Sequence, residues 1–269
     1  MTRRRCYNRS VATSLITIGD ELLAGFTLDT NSHWLAERLR LAGRPLRRIT
    51  VVRDRLEDIS GQVRRDLSDP ETEDVFCCGG LGPTPDDRTL EAVAHALGRE
   101  TVLWSPAMER IERRVRLLHE AGLVDTPEIS EGHRRMARIP AHPDHVFHNR
   151  RGLAPGLMYQ VGHRRLFVLP GVPAELRGIF TEELAPRFLG GRAAPVVREL
   201  RFLQAMESRF YPVMRQLEES HPQVSVGSYP QSVSQELVIR FSGESEKQVL
   251  EAMALVRRWA ATMGLEPVT

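Results

Sequence analysis

Residues 74 to 98, DVFCCGGLGPTPDDRTLEAVAHALG, decide the reading of the fold. An apolar run too short for a helix enters a bend with three glycines, two prolines and two adjacent aspartates. An amphipathic run follows and stops at Gly98. That order predicts a buried strand, a turn and a helix. The bend holds more than a turn needs, so its glycines and acids are the first candidates for a ligand site.

The same unit recurs on both sides. TSLITI (13–18) predicts a strand that breaks at Gly19, and DTNSHWLAERLRLAG predicts a helix with Trp34, Leu35, Leu39 and Ala42 on one face. PLRRITVV is a second strand, followed by a helix carrying Ile59, Val63 and Leu67 at four-residue spacing. SPAMERIERRVRLLHEAG is a helix with Ser105 as N-cap and Pro106 at its first position. RRLFVLPG is a further strand, and VPAELRGIFTEELAPRFLGG is helical until Pro186. Strands alternating with helices predict an α/β fold with a mostly parallel sheet covered on both faces. In such sheets ligands bind beyond the carboxyl ends of the strands. The loops GDE, VVRD, GGLGPTPDD and LPGVP all follow strands, so they are expected on one edge.

After GGRAAP (190–195) the pattern becomes strand, helix, two strands and helix, a small α+β unit. The expected organisation is a disordered basic tail over 1–12, the α/β domain over 13–191 and the α+β domain over 192–269.

Composition narrows the chemistry. The chain has 269 residues, 41% hydrophobic and 27% charged, with a net charge of +2. That gives no global basic field of the kind that drives nucleic-acid binding. Lys247 is the single lysine, and its polar turn suits neither a P-loop nor a Schiff base. Cys6, Cys77 and Cys78 lack disulfide or metal-ligand spacing, which fits a reducing cytoplasm. No apolar run approaches the length of a membrane span, and MTRRRCYNRS lacks the apolar core of a signal peptide. A cytoplasmic protein without a membrane partner is expected.

The glycine bend has the chemistry of an anion cradle. Gly79, Gly80 and Gly82 let backbone approach a ligand, the following helix presents its N-terminus, and Thr84 offers a hydroxyl. Carboxylates beside a phosphate repel it unless a cation sits between them. Asp86 and Asp87 therefore predict a divalent metal, most simply Mg²⁺. Asp20 and Glu21 stand at the end of the first strand, where burial without a partner is costly, and Asp54 stands likewise after the second. Asp29, Asn31 and Ser32 precede the first helix, and capping accounts for only one of the three. The run HPDHVFH spaces His142, His145 and His148 by three, but Pro143 breaks any helix that would align them. It reads as an exposed loop rather than a zinc site.

Taken together, TIGDELLAGFTLDTNSHWLAERL, VVRD, GGLGPTPDDRTLEAVAHALG, GLAPG and LPGVPAEL resemble the MoaB/Mog-type molybdopterin-binding superfamily. More closely, they resemble the N-terminal domain of the competence/damage-inducible protein A family, from about Thr13 to Leu189. VGSYPQ and the strand after it look like the corresponding domain of eukaryotic FAD synthases. The resemblance implies a three-layer α/β/α domain that handles an adenylyl or dinucleotide diphosphate, and a homodimer. It also implies metal-dependent hydrolysis of ADP-ribose or FAD to release AMP, with Co²⁺ or Mn²⁺ as alternatives to Mg²⁺ and K⁺ as a further cation. The family's key acids map onto Asp54 and Asp87, and its strand-end acid onto Asp20.

In that reading Gly79, Gly80, Gly82 and Thr84 hold the diphosphate, with Asp29, Asn31 and Ser32 as further ligand contacts. Asp20, Glu21, Asp86 and Asp87 serve the metal, with Asp87 the essential acid and Asp86 its helper. Asp54 orients or deprotonates water. The alternatives are adenylyl transfer onto molybdopterin and a nucleotide-binding module without turnover. RNA binding through the small unit is disfavoured, because GSYP and SGESEK do not supply a GxxG loop. The sequence departs from the family at Cys77 and Cys78, where threonines are frequent, and at Arg88, a candidate phosphate partner. Longer relatives carry a nicotinamide-mononucleotide deamidase domain, and that activity is expected to be absent here.

Overall fold

The computed structural model describes residues 12–231 and 236–268. The expected basic tail lies outside the described residues except for Ala12, which opens the first strand. The chain forms two compact units, one ending at Arg192 and the other beginning at Ala193.

In the first unit β1 (Ala12–Ile18) leads into a short helix α1 (Asp20–Leu23) and then α2 (Thr30–Leu41). β2 (Leu46–Val52), α3 (Leu56–Ser68), β3 (Thr72–Cys78) and α4 (Thr89–Leu97) follow. β4 (Thr101–Leu103) pairs with β5 (Arg138–Pro140) around α5 (Ser105–Glu120) and α6 (Glu131–Met136). β6 (His145–Phe147), β7 (Gly156–Val161) and β8 (Arg164–Leu169) complete the main sheet. The last helical stretch is α7 (Pro173–Ile179), a π-helical turn (Phe180–Leu184) and α8 (Ala185–Phe188).

The main sheet has the order β2-β1-β3-β8-β7-β6. β2, β1, β3 and β8 are parallel, and β7 alone runs against its neighbours. Alternate residues face opposite sides of a strand, and β3 shows the result. Val75 and Cys77 join the core under α3 and α4, whereas Phe76 and Cys78 join the core under α2 and α7. This is the three-layer α/β/α arrangement, and it explains the paired cysteines as small packing residues. Both are fully buried, and burial pushes the Cys78 thiol up to about 12.

Several details differ from the sequence reading. GDELLAG is not a plain loop, because Asp20 begins α1 directly after Gly19. HPDHVFH is not wholly loop, because His145–Phe147 forms the edge strand β6. GLMYQV forms β7, which closes on β8 through a turn with Gly162 at φ 60°. The α5 N-cap is Trp104 with no side-chain cap, so Ser105 lies one residue inside the helix. Pro186 does not end the last helix but follows the π-helical turn directly, in the first turn of α8.

The second unit is an antiparallel sheet of order β10-β11-β9, built from β9 (Val196–Leu203), β10 (Ser225–Gln231) and β11 (Glu236–Gly243). α9 (Tyr211–Ser220) and α10 (Glu246–Thr262) close its core around Phe202, Phe210, Ile239 and Phe241. No helix among the described residues is long and apolar enough to cross a membrane.

Candidate functional site

The carboxyl ends of β1, β2, β3 and β8 meet through short backbone contacts. Gly19 N donates to Val52 O at 3.2 Å, and Gly79 N donates to Leu169 O at 3.2 Å. The four loops expected on one edge therefore share it. Gly79 and Gly80 have φ of 106° and 63°, in the left-handed region. A Cβ on Gly79 would lie 2.4 Å from Ile18 O, and one on Gly171 would lie 3.1 Å from Gly79 Cα. This backbone path admits only glycine at residue 79. Gly79→Ala is expected to lower the unfolding free energy by about 2 kcal/mol, measured by urea denaturation against wild type.

Thr89, which the sequence reading did not single out, ties the bend to α4. Its N–H donates to Gly80 O at 3.2 Å and its hydroxyl to Gly79 O at 2.8 Å. Among the described residues the N–H groups of Gly80 and Gly82 donate to no carbonyl. The N-terminus of α4 carries no side-chain cap. Free amides and an uncapped helix end make an anion cradle.

The acids divide into two groups. Asp54 Oδ2 accepts the N–H of Asp20 at 2.8 Å, which fixes the carboxylate at the β2 end. Burial pushes its carboxyl above the usual carboxylate range, and the charges of Glu21, Asp20 and Asp86 add to the rise. Among the described residues none of these four acids forms an ion pair. Asp87 belongs elsewhere: its Oδ2 accepts the Thr84 N–H at 2.9 Å and the Thr84 hydroxyl at 2.5 Å. It also faces Gly82, where a Cβ would lie 2.5 Å from Oδ2. Asp86 rather than Asp87 therefore shares the field of Asp54.

The expected metal set is not assembled. Among the described residues no three His, Cys, Asp or Glu side chains converge to hold an ion, so Asp20, Glu21, Asp86 and Asp87 do not form a cage. The physical reason is that Asp87 closes the bend on Thr84, while Asp20, Glu21 and Asp86 stand exposed around half-buried Asp54 without converging on one point. Hard oxygen donors with uncompensated charge nevertheless suit a Mg²⁺-type ion, which takes one or two carboxylates and completes its shell from phosphate and water.

Of the ligand contacts expected at the start of α2, Asp29 and Ser32 are satisfied within the protein and Asn31 only in part. Asp29 caps α2, accepting Ser32 N–H at 2.9 Å and the Ser32 hydroxyl at 2.5 Å. The Ser32 hydroxyl also meets Thr17 Oγ1 at 2.8 Å. Asn31 Nδ2 donates to Gly171 O at 2.6 Å, and its buried Oδ1 has no partner. A free acceptor suits a hydroxyl or amine and not a phosphate oxygen. Thr84's hydroxyl is taken by Asp87. Arg88 pairs with Glu91 at 3.4 Å rather than standing free for phosphate.

A family model described as probable molybdopterin binding domain matches residues 14–190, and so spans the whole of this edge. The chain belongs to that family. Residues 195–262 of this molybdopterin-binding-domain protein match a second model, FAD synthase, middle domain. Protein TK1472 of Thermococcus kodakarensis is 36% identical over 235 residues, covering 87% of this chain and 92% of that one. A CinA-like protein of Anaeromyxobacter is 36% identical over 202 residues, 75% of this chain and 47% of its own length. The crystal structure of CinA from Thermoplasma acidophilum is similar at TM-score 0.57 and 30% identity, covering 68% of this chain and 99% of that one. These relatives agree with the resemblance to the competence/damage-inducible protein A family.

Proposed function

We propose that this protein is a divalent-metal-dependent hydrolase that cleaves a nucleotide diphosphate of the ADP-ribose or FAD type and releases AMP. The observation that supports it is the juxtaposition of free Gly80 and Gly82 amides with unpaired carboxylates on one sheet edge. The amides and the α4 N-terminus bind and orient the diphosphate. Asp54, held by the Asp20 N–H and raised by burial, accepts a proton from the attacking water. Asp20, Glu21 and Asp86 would hold the metal, and Asp87 would serve it as well if released from Thr84. The metal supplies charge neutralisation at the phosphorus. Asn31 Oδ1 accepts a hydrogen bond from a ribose hydroxyl or base amine rather than touching phosphate.

The family's description favours a second reading, in which the same edge binds molybdopterin and AMP is transferred rather than released. One assay separates the two. The protein is incubated with ADP-ribose, FAD, NAD and coenzyme A, and separately with ATP and molybdopterin, under Mg²⁺, Mn²⁺ or Co²⁺, and AMP (adenosine 3′,5′-bisphosphate from coenzyme A) is quantified. AMP from at least one substrate, abolished by EDTA, is the expected result. No AMP from any of them, with AMP moved onto molybdopterin from ATP, overturns the hydrolase in favour of the transferase.

A further inference from the structure

Outside the carboxylate edge the α/β unit has a groove of about 340 Å³ lined by Arg110, Arg113, Arg114, His148 and Arg150. Arg110, Arg113 and Arg114 follow helical spacing on α5, beside the stripe that Ala107, Ile111 and Val115 bury. Arg110 donates to Asn149 O and to Gly152 O, the latter at 2.9 Å, so its guanidinium is anchored against the loop between β6 and β7. That loop leaves the carboxyl end of β6 and enters the amino end of antiparallel β7. It therefore stands on the same sheet edge as the glycine cradle, beyond β8.

The charge in this groove is out of balance. Among the described residues Arg113 and Arg114 form no ion pair. Arg150 reaches Glu182 only at 3.9 Å, and that carboxylate is already held by Arg151 at 2.9 Å. The charge of Glu175 acts on Arg110, and Asn149 Nδ2 donates to its Oε2 at 2.6 Å. Four guanidiniums share one concavity with the charges of Glu175 and Glu182 beside them, which leaves an excess of positive charge for an external anion. Guanidinium forks match phosphate oxygens, and one carboxylate is too small a charge to balance four.

We propose that this groove binds a multiply charged phosphate group carried by a small molecule. Arg110 is the fixed element, Arg113 and Arg114 close from the helix, and Arg150 closes from the loop. The phosphate belongs to a separate effector, because the only phosphates of an ADP-ribose-type substrate are those assigned to the glycine cradle. The site acts by binding alone, so the inference stands whether or not the carboxylate edge turns over substrate.

The test is calorimetric titration of the full chain with inorganic pyrophosphate at low salt, in EDTA to keep metal from the carboxylate edge. Wild type is expected to bind, and Arg113→Gln with Arg114→Gln to weaken binding at least about tenfold. Arg116→Gln, a charge loss outside the groove, is expected to keep affinity. All three arginines are exposed, so equal melting temperatures check that the variants fold. No binding, unchanged affinity in the double variant, or an equal loss with Arg116→Gln overturns the proposal. So does a single-stranded oligonucleotide that binds through the groove where pyrophosphate does not. If pyrophosphate binds as expected, adding unlabelled ADP-ribose is expected to leave it bound; displacement would place the substrate diphosphate in the groove and overturn the separate site.

Discussion

Asp54→Asn is expected to lower metal-dependent AMP release by a factor of about 10²–10⁴ while leaving the melting temperature at neutral pH unchanged or higher. The two halves of that expectation have one cause. The carboxyl is raised above its usual range by burial and by Glu21, Asp20 and Asp86. A folded-state pKa above the unfolded value gives stability that is present at low pH and lost as pH rises through the folded pKa. At pH 7 the ionised group therefore opposes folding, and a neutral amide removes that opposition. The amide oxygen of the variant side chain still accepts the Asp20 N–H. A variant that is inactive but no less stable marks a residue kept for chemistry. Wild-type turnover by Asp54→Asn would place the base elsewhere.

Asp87→Asn separates two roles of one side chain. An amide oxygen still accepts the Thr84 N–H and hydroxyl, so the bend keeps its shape. What is lost is the negative charge. Activity is expected to fall comparably and to be recovered in part by raising the metal concentration, measured as AMP release against Mg²⁺. If Asp87→Asn retains wild-type kcat/KM, Asp87 only closes the loop.

Much of the fold was legible because its strands are buried on both faces and its helices carry clear apolar stripes. DVFCC is an uninterrupted apolar run because Val75 and Cys77 meet one helical layer while Phe76 and Cys78 meet the other. β6 and β7 were not legible. β6 has three residues, too few to show a period, and β7 follows the glycine-rich GLAPG, which reads as loop. The site's glycines and Asp54 were legible because strand-end loops in a parallel sheet collect on one edge. Which acid faces which was not, because hydrogen bonds such as Thr84 to Asp87 depend on how the bend folds back. The groove arginines were invisible as a group, since α5 and residue 150 meet only in three dimensions.

The same limit hid a buried ion-pair cluster, and it carries the second large prediction. Asp74 opens the apolar run of β3 and is itself fully buried. Its carboxylate is gripped by Arg44 at 2.7 Å and by Arg165 at 2.7 Å. Arg44 is itself buried, with its Nε left unpartnered. Removing the acid strands two guanidiniums away from water, and breaking a buried pair from one side costs about 3–5 kcal/mol. Glu73 stays within 3.4 Å of Arg44 and 3.7 Å of Arg165, so it shares the burden and sets the cost at the lower end. Asp74→Ala is therefore expected to lower the unfolding free energy of the α/β unit by about 3 kcal/mol. For a domain of this size that is a fall in melting temperature of roughly 6–12 °C. Arg47→Ala, which breaks an exposed pair with Glu71 at 2.7 Å, is expected to cost less than about 1 kcal/mol. Calorimetry of both variants decides the matter. Equal, small shifts would mean that Glu73 alone can hold the two arginines and that Asp74 is dispensable to the fold.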